Sequence, residues 1–592
     1  MHRRHTACLL AALAWAWILA PFAQAAERPN VIVILSDDQG WGDLSVHGNT
    51  NLATPHIDSL ARDGALFERF FVCPVCSPTR AEFLTGRYHP RCGVWSTSTG
   101  GERLNLDERT IGDAFKAAGY ATGAFGKWHN GTQWPYHPNA RGFDEYYGFC
   151  SGHWGHYFDP VLEHNGKTVR GQGFIADDLT DHALEFIEHN RTQPFFCYLP
   201  FNTPHSPMQV PERFYEKFRD AELPLRAAAD DPEDLPTTRA ALAMCENIDW
   251  NVGRVLAKLE ALKLAENTIV VYFSDNGPNG WRWNGGMKGR KASTDEGGVR
   301  SPLLVRWPGH IRPGTKVTPI AAAIDLLPTL TALAGVAPNN EKPLDGQNLA
   351  PLLLGKNGAT ADRMIFSHWA GKVSVRTPQY RFGHTGKLFD MTKDPGQKHD
   401  LADDQPEVAA KLERAVADWR HDVLGELKRE ASDARPFTVG YREFPVTQLP
   451  ARDGVPQGNI TRSARAPNCS FLENWTSTND TITWNIEVHT PGKYEAVVLY
   501  TCPEQDLGST LELSFSGKRV EGQVTKAVDP PLLGAAQDRV PRQGESLVKD
   551  FEPLALGKFE LPAGQGPLVL RAIKIPGRRA ADVRGVTLTL VE

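Results

Sequence analysis

Val31-Ile32-Val33-Ile34-Leu35 is an unbroken apolar run that ends directly in Ser36-Asp37-Asp38. A strand with one wet face alternates apolar and polar residues, whereas a strand covered on both faces reads as a continuous run like this one. Three further segments repeat the arrangement. Residues 120–125 lead into Lys127 and His129, residues 194–199 into Asn202 and His205, and residues 268–273 into Asp275-Asn276. Each polar cluster follows its run, at the carboxyl end of the expected strand, where open α/β sheets carry their sites. Segments 110–119, 177–189 and 248–262 space their apolar residues as helices do, and the first runs from a capping Thr to a terminal Gly. An α/β layer fold follows for most of the first 430 residues.

The chain has 592 residues, enough for two or more domains, and a formal net charge of −6 without any dense basic block, which argues against a nucleic-acid partner. His2-Arg3-Arg4, an apolar stretch over residues 7–20 and Ala23-Gln24-Ala25 have the form of a secretory signal peptide, residues 1–25. The apolar stretch is shorter than the ~20 residues a membrane span needs, and no later one is longer, so an exported protein without a span after cleavage is expected, periplasmic or extracellular. Eight cysteines remain, too few in so long a chain for a disulfide scaffold. Cys73 and Cys76 have C-x-x-C spacing, but no second close pair accompanies them to complete a zinc site. Residues 431–468, rich in Pro, Gly, Arg and Asp, read as a linker. Alternating segments at 481–488, 494–500, 511–515, 568–573 and 586–591 then predict an all-β sandwich accessory domain over 469–592.

Asp37, Asp38, Asp275 and Asn276 together offer three carboxylates and an amide oxygen. All-oxygen ligation suits a hard divalent cation, calcium in preference to magnesium, and no neighbouring His/Cys set favours zinc.

Cys76-Ser77-Pro78-Thr79-Arg80-Ala81-Glu82-Phe83-Leu84-Thr85-Gly86 resembles the C-x-P-[ST]-R…L-T-G signature of type I, formylglycine-dependent sulfatases, arylsulfatase-like members of the alkaline phosphatase superfamily. Six other segments resemble that family's motifs in order: residues 35–43, Gly126-Lys127-Trp128-His129, Asn202-Thr203-Pro204-His205, Ser274-Asp275-Asn276-Gly277, residues 291–302 with Glu296-Gly297-Gly298-Val299-Arg300, and residues 387–395. The resemblance implies a catalytic domain over residues 27–430, with a large mixed sheet flanked by helices and a smaller C-terminal α+β subdomain from about residue 315. It also implies that a formylglycine-generating enzyme oxidises Cys76 to formylglycine (3-oxoalanine) during export. The aldehyde would hydrate to a diol: one hydroxyl attacks sulfur, and loss of a proton from the other expels sulfate. Asp37, Asp38, Asp275, Asn276 and residue 76 would bind the metal. Arg80 would hold the diol, Lys127 and Lys291 the sulfate oxygens, His205 would protonate the departing alcohol and His129 would act as base.

The substrate class implied is a sulfated carbohydrate or aryl sulfate. Two alternatives carry the same residues: a formylglycine phosphodiester or phosphonate hydrolase, and a non-catalytic carbohydrate-binding relative. Three positions depart from the commonest pattern: Thr79 where Ser is frequent, Met287-Lys288-Gly289-Arg290-Lys291 where L-R-G-x-K is typical, and Asn130 where Leu is usual. His153-Trp154-Gly155-His156-Tyr157 and Trp281-Arg282-Trp283 are candidates to line a sugar.

Overall fold

A computed structural model describes residues 28–591 apart from positions 229, 339, 357, 359–361, 426 and 428–434; the expected signal peptide lies outside them. Asn30–Ser36 is a central strand whose residues are all buried. Val31, Val33 and Leu35 enter one apolar cluster and Ile32 and Ile34 another, so the two-residue period of the strand feeds two cores at once. Helices Cys76–Thr85, Ile111–Ala117 and Leu326–Leu333 cover the first face, through residues such as Phe83, Phe115 and Leu330. Helices Pro55–Arg62, Ile175–His189 and Leu235–Ala261 cover the second, through Leu60, Leu179 and Val252. Burial on both faces explains why the run is continuous.

The sheet has ten strands and is mixed. Thr268–Ser274, Asn30–Ser36, Phe195–Pro200 and Ala121–Lys127 lie side by side in that order, all parallel. Their carboxyl ends therefore share one edge, and Ser36 pairs with Ser274 at the point where both chains turn to acidic residues. Leu303–Arg306 runs antiparallel to Thr268–Ser274 on one side, and Val161–His164 antiparallel to Glu145–Phe149 on the other.

The helix expected over 248–262 begins earlier, at Leu235. Asp234 caps it by accepting from the Thr237 amide, and its first half packs through the small residues Ala240, Ala241 and Ala243. Small side chains pack without giving a strong apolar period, which is why the sequence pattern marks only the second half.

A four-stranded sheet, Ile365–Trp369 to Leu388–Asp390, and the helix Pro406–Trp419 form the α+β subdomain. Two six-stranded sheets follow and share a single apolar core that contains Trp475, Trp484, Tyr494 and Leu570. Within the stretch 431–468, expected to be a linker, the residues from Phe437 on instead contribute strands to the sandwich. Phe437–Val439 and Val455–Gln457 pair with Thr481–Val488, and Val446–Pro450 pairs with Asp582–Leu590, so the sandwich takes its first strands from within that stretch. Its Pro and Gly residues punctuate strands too short to show a period. Among the described residues no helix is long and apolar enough to cross a membrane.

Glu296 ties the subdomain to the sheet. Its buried carboxylate accepts from Arg381 at 2.8 Å and Arg376 at 3.3 Å, both on subdomain strands, and pairs with Arg300 at 3.4 Å. Burial pushes this carboxyl up, but Arg376, Arg381 and Arg300 outweigh it and hold it at about 2. Removing one partner from a buried pair costs about 3–5 kcal/mol, so Glu296→Gln is expected to lower the urea midpoint strongly at pH 7. A depressed carboxyl stabilises the fold above its ordinary value of 4.5, and that contribution fades as pH falls toward 2. The gap between the two proteins should therefore close progressively below pH 4.5; a gap undiminished at pH 3 would refute the charge assignment.

Candidate active site

The helix Cys76–Thr85 starts at the carboxyl edge of the sheet, and every one of its residues is buried. Its N-cap, Val75, has no side-chain acceptor, which leaves the first-turn amides for an anion. The Thr79 hydroxyl accepts from the Cys73 amide at 2.9 Å and fixes the turn that presents Cys76, the task the position requires of a hydroxyl residue. Cys76 is a free thiol and is not joined to Cys73. Burial pushes its thiol up, against the pull of Lys127 and Lys291.

All the sequence-expected residues converge around it. Arg80 donates to the Lys127 carbonyl at 2.7 Å and to Asp275 at 2.9 Å, and reaches Asp37 at 3.3 Å. Lys127 also pairs with Asp37. Lys291 pairs with Asp38 at 2.6 Å, and Asn276 donates to the same Asp38 oxygen at 2.8 Å. Lys288 instead points to Asp295, at 3.8 Å, and Arg290 lies over Trp281, so Lys291 is the cation of its segment that reaches the site. Single ligand atoms of Asp37, Cys76 and Asp275 lie within 4.8 Å of one another, as do those of Asp37, Asp38 and His205.

The three carboxyls are shifted in different directions. Burial raises all three, but Lys127, His205 and Arg80 together outweigh it at Asp37, and Lys291, His205 and Asn276 together at Asp38, holding both below the usual carboxylate range. Asp275 goes the other way, up to about 7, because burial and then the neighbouring Asp37 charge prevail over Arg80. Lys291 is raised, since Asp38, Cys76 and Asp37 together overcome its desolvation.

Three oxygens in this cluster are buried and have no hydrogen-bond partner: Asp37 Oδ1, Asp38 Oδ2 and Asn276 Oδ1. Buried polar atoms are rarely left alone. Unsatisfied oxygens on three of the expected ligands form a donor set that fits a hard cation.

His129 Nε2 lies 2.8 Å from the Thr97 carbonyl, which can only accept, so Nε2 carries the hydrogen. The lone pair of the neutral ring is then on Nδ1, which is buried and unpartnered. Burial and then Lys127 drive this ring well below the ordinary histidine value, which keeps it neutral. Both His129 and Asp38 adopt left-handed backbone angles, with φ of 64° and 67°. His205 has the opposite polarity. Its Nδ1 donates to the Ser206 carbonyl at 2.7 Å, and its Nε2 faces Asp38 at 3.7 Å.

No motif assigns a role to Asn130, yet its amide donates to Ser77 O and Oγ at 3.3 Å and to Glu102 O at 3.1 Å, stapling the first turn of the Cys76 helix. Of the two sugar-lining candidates, residues 153–157 reach the site. His153 stacks on His205 at 5.8 Å, and the Tyr157 hydroxyl donates to the carbonyls of His205 and Ser206. In the other, Arg282 is an anchor, bound to Asp43 at 2.6 Å and to the Asp38 carbonyl at 3.0 Å.

Known proteins carry the same framework. The sulfatase family model matches residues 29–336, and that of the N-sulphoglucosamine sulphohydrolase C-terminal region matches 290–422. The chain is 33% identical to mouse (Mus musculus) N-acetylgalactosamine-6-sulfatase over 398 residues, covering 61% of this chain and 72% of that protein. It is 31% identical to human (Homo sapiens) arylsulfatase A over 475 residues, covering 67% and 88%. The crystal structure of Ps i-CgsB in complex with k-i-k-neocarrahexaose matches with a TM-score of 0.61 at 31% identity, over 66% of this chain and 93% of that one. This chain belongs to the sulfatase family of sulfuric ester hydrolases.

Proposed function

We propose that the protein is an exported sulfatase that removes sulfate from carbohydrates, using a formylglycine made from Cys76 beside a bound calcium ion. The unpartnered oxygens of Asp37, Asp38 and Asn276, grouped around a buried cysteine at a helix N-terminus, carry the proposal. Asp37, Asp38, Asp275 and Asn276 would hold calcium, with residue 76 completing the set. Bound there, calcium would polarise sulfate oxygens. Formylglycine would supply a nucleophile stronger than a plain hydroxyl.

The chain's own groups do the rest. Arg80, locked by two carboxylates and a carbonyl, orients the side chain at position 76. Lys127 and Lys291 neutralise sulfate oxygens as charge builds in the transition state. His205, with Nδ1–H held by the Ser206 carbonyl, can act as acid only when Nε2 also carries a proton, which it then gives to the departing alcohol; His129 takes one on Nδ1. A formylglycine-generating enzyme would be the maturation partner, and the signal-like residues 1–25 support delivery to the periplasm or cell exterior. The relatives named N-acetylgalactosamine-6-sulfatase and the neighbour in complex with k-i-k-neocarrahexaose favour a sulfated sugar over an aryl sulfate.

Protein co-produced with a formylglycine-generating enzyme should lose roughly 18 Da at Cys76 and hydrolyse sulfate esters, while Cys76→Ala should hydrolyse none. Full activity from an unmodified thiol, or phosphodiester turnover above that of sulfate esters, would overturn the proposal. Calcium at 100 times its dissociation constant should stabilise the protein by about 2.7 kcal/mol, seen as a rise in melting temperature. Asn276→Ala and Asp37→Ala should lose that rise. An equal rise with magnesium would remove the preference for calcium.

A further inference from the structure

Between the strands Lys518–Gln523 and Glu552–Leu561 the sandwich sends a long excursion onto the catalytic domain. It docks on the chain just beyond His205. Gln209 donates to Gly534 O at 3.1 Å and to Asp538 at 2.7 Å, and the Arg539 amide donates to Met208 O at 2.8 Å. The Arg539 guanidinium donates to Val210 O at 2.8 Å, pairs with Glu212 at 2.7 Å and lies over Tyr215. Arg542 braces the excursion from within, bonding Asp538 at 2.7 Å and the Ser546 carbonyl at 2.6 Å. Glu545 sits inside this brace. Its Oε1 accepts the Ser206 hydroxyl at 2.5 Å, and its Oε2 is buried without a partner.

We infer that Glu545 is a positioning residue for His205, supplied to the active site by the accessory domain. A carboxylate only accepts, so the Ser206 hydroxyl must spend its hydrogen on Glu545. The hydroxyl oxygen is then left to face His205 Nδ1, 3.4 Å away. The Ser206 carbonyl takes the Nδ1 hydrogen at 2.7 Å and is itself held by the Tyr157 hydroxyl at 2.9 Å. Nδ1 is thereby committed, and Nε2 is the nitrogen that faces the metal-ligand cluster. His153 stacked on one side and Glu545 acting through Ser206 on the other fix the plane of the ring.

The inference rests on the role of His205 proposed above, and it predicts a specific pattern. Protonation matters for a basic leaving group, such as a sugar alkoxide, and little for an acidic one, such as 4-nitrophenolate. Loss of Glu545 should therefore divide substrates by leaving group rather than slow all of them.

The test uses the full-length, formylglycine-bearing enzyme with a sugar sulfate and 4-nitrophenyl sulfate. Glu545→Ala should lower kcat on the sugar sulfate by on the order of 10²-fold and leave the aryl sulfate within a few-fold. Glu545→Gln, which keeps an acceptor for Ser206, should recover most of the loss. Ser206→Ala, which leaves the excursion and its ion pairs in place, should reproduce the split even if Glu545→Ala folds poorly. An equal fall on both esters, or no fall on either, would overturn the positioning role. If the unmutated, modified enzyme turns over neither ester, the sulfatase mechanism itself fails and this role fails with it, an outcome recognisable because the parent protein is silent.

Discussion

Three carboxylates, Asp37, Asp38 and Asp275, are buried at the ends of two adjacent parallel strands, and desolvation on that scale cannot stand without compensation. Arg80, Lys127 and Lys291 provide it, from a helix, a strand end and a loop that are far apart in sequence. Each cation reaches its carboxylate only if its own element is in register with the central strand. The cluster therefore makes the sheet, the Cys76 helix and the segment before Glu296 mutually dependent. The same compensation leaves one oxygen each of Asp37 and Asp38, and the neighbouring Asn276 Oδ1, without a hydrogen-bond partner, which ion pairing alone does not account for.

The outer layers act on this cluster at one remove. Glu296, five residues beyond Lys291, is gripped by two arginines of the subdomain sheet, so that small sheet anchors the loop that carries Lys291. The sandwich does the equivalent on the far side. Asn468 O accepts the Ser151 hydroxyl next to the His153 segment, Gln448 O accepts from Gln133, and the excursion around Glu545 grips the chain beyond His205. The two histidines with opposite ring polarity, His129 and His205, each turn one ring nitrogen to a backbone carbonyl, Thr97 O and Ser206 O, which decides where the ring hydrogen sits.

Much of this architecture is legible in the amino-acid sequence. Continuous apolar runs ending in Asp37-Asp38 or Asp275-Asn276 disclose strands covered on both faces, and the position of those polar pairs discloses a common edge. Strands such as Thr481–Val488 announce themselves by alternation. Elements that pack through small or brief segments are not legible: the Ala-rich start of Leu235–Ala261, and the three-residue strand Phe437–Val439 inside a Pro- and Gly-rich stretch. Contacts at long separation are hidden for a different reason. Asn130 acts on Ser77 across 53 residues and Glu545 on Ser206 across 339, and neither side chain sits in a periodic pattern that would betray its partner.

The burial of Cys76 has a consequence for the order in which this molecule can be made. With the side chain 3% exposed and the whole helix enclosed between the sheet and its neighbours, no second protein can grasp the segment once the domain has closed. Any enzyme that acts on this cysteine must meet it on an extended chain. Chemistry done to that one sulfur by another protein would have to precede tertiary structure, and folding then seals whichever side chain it finds there.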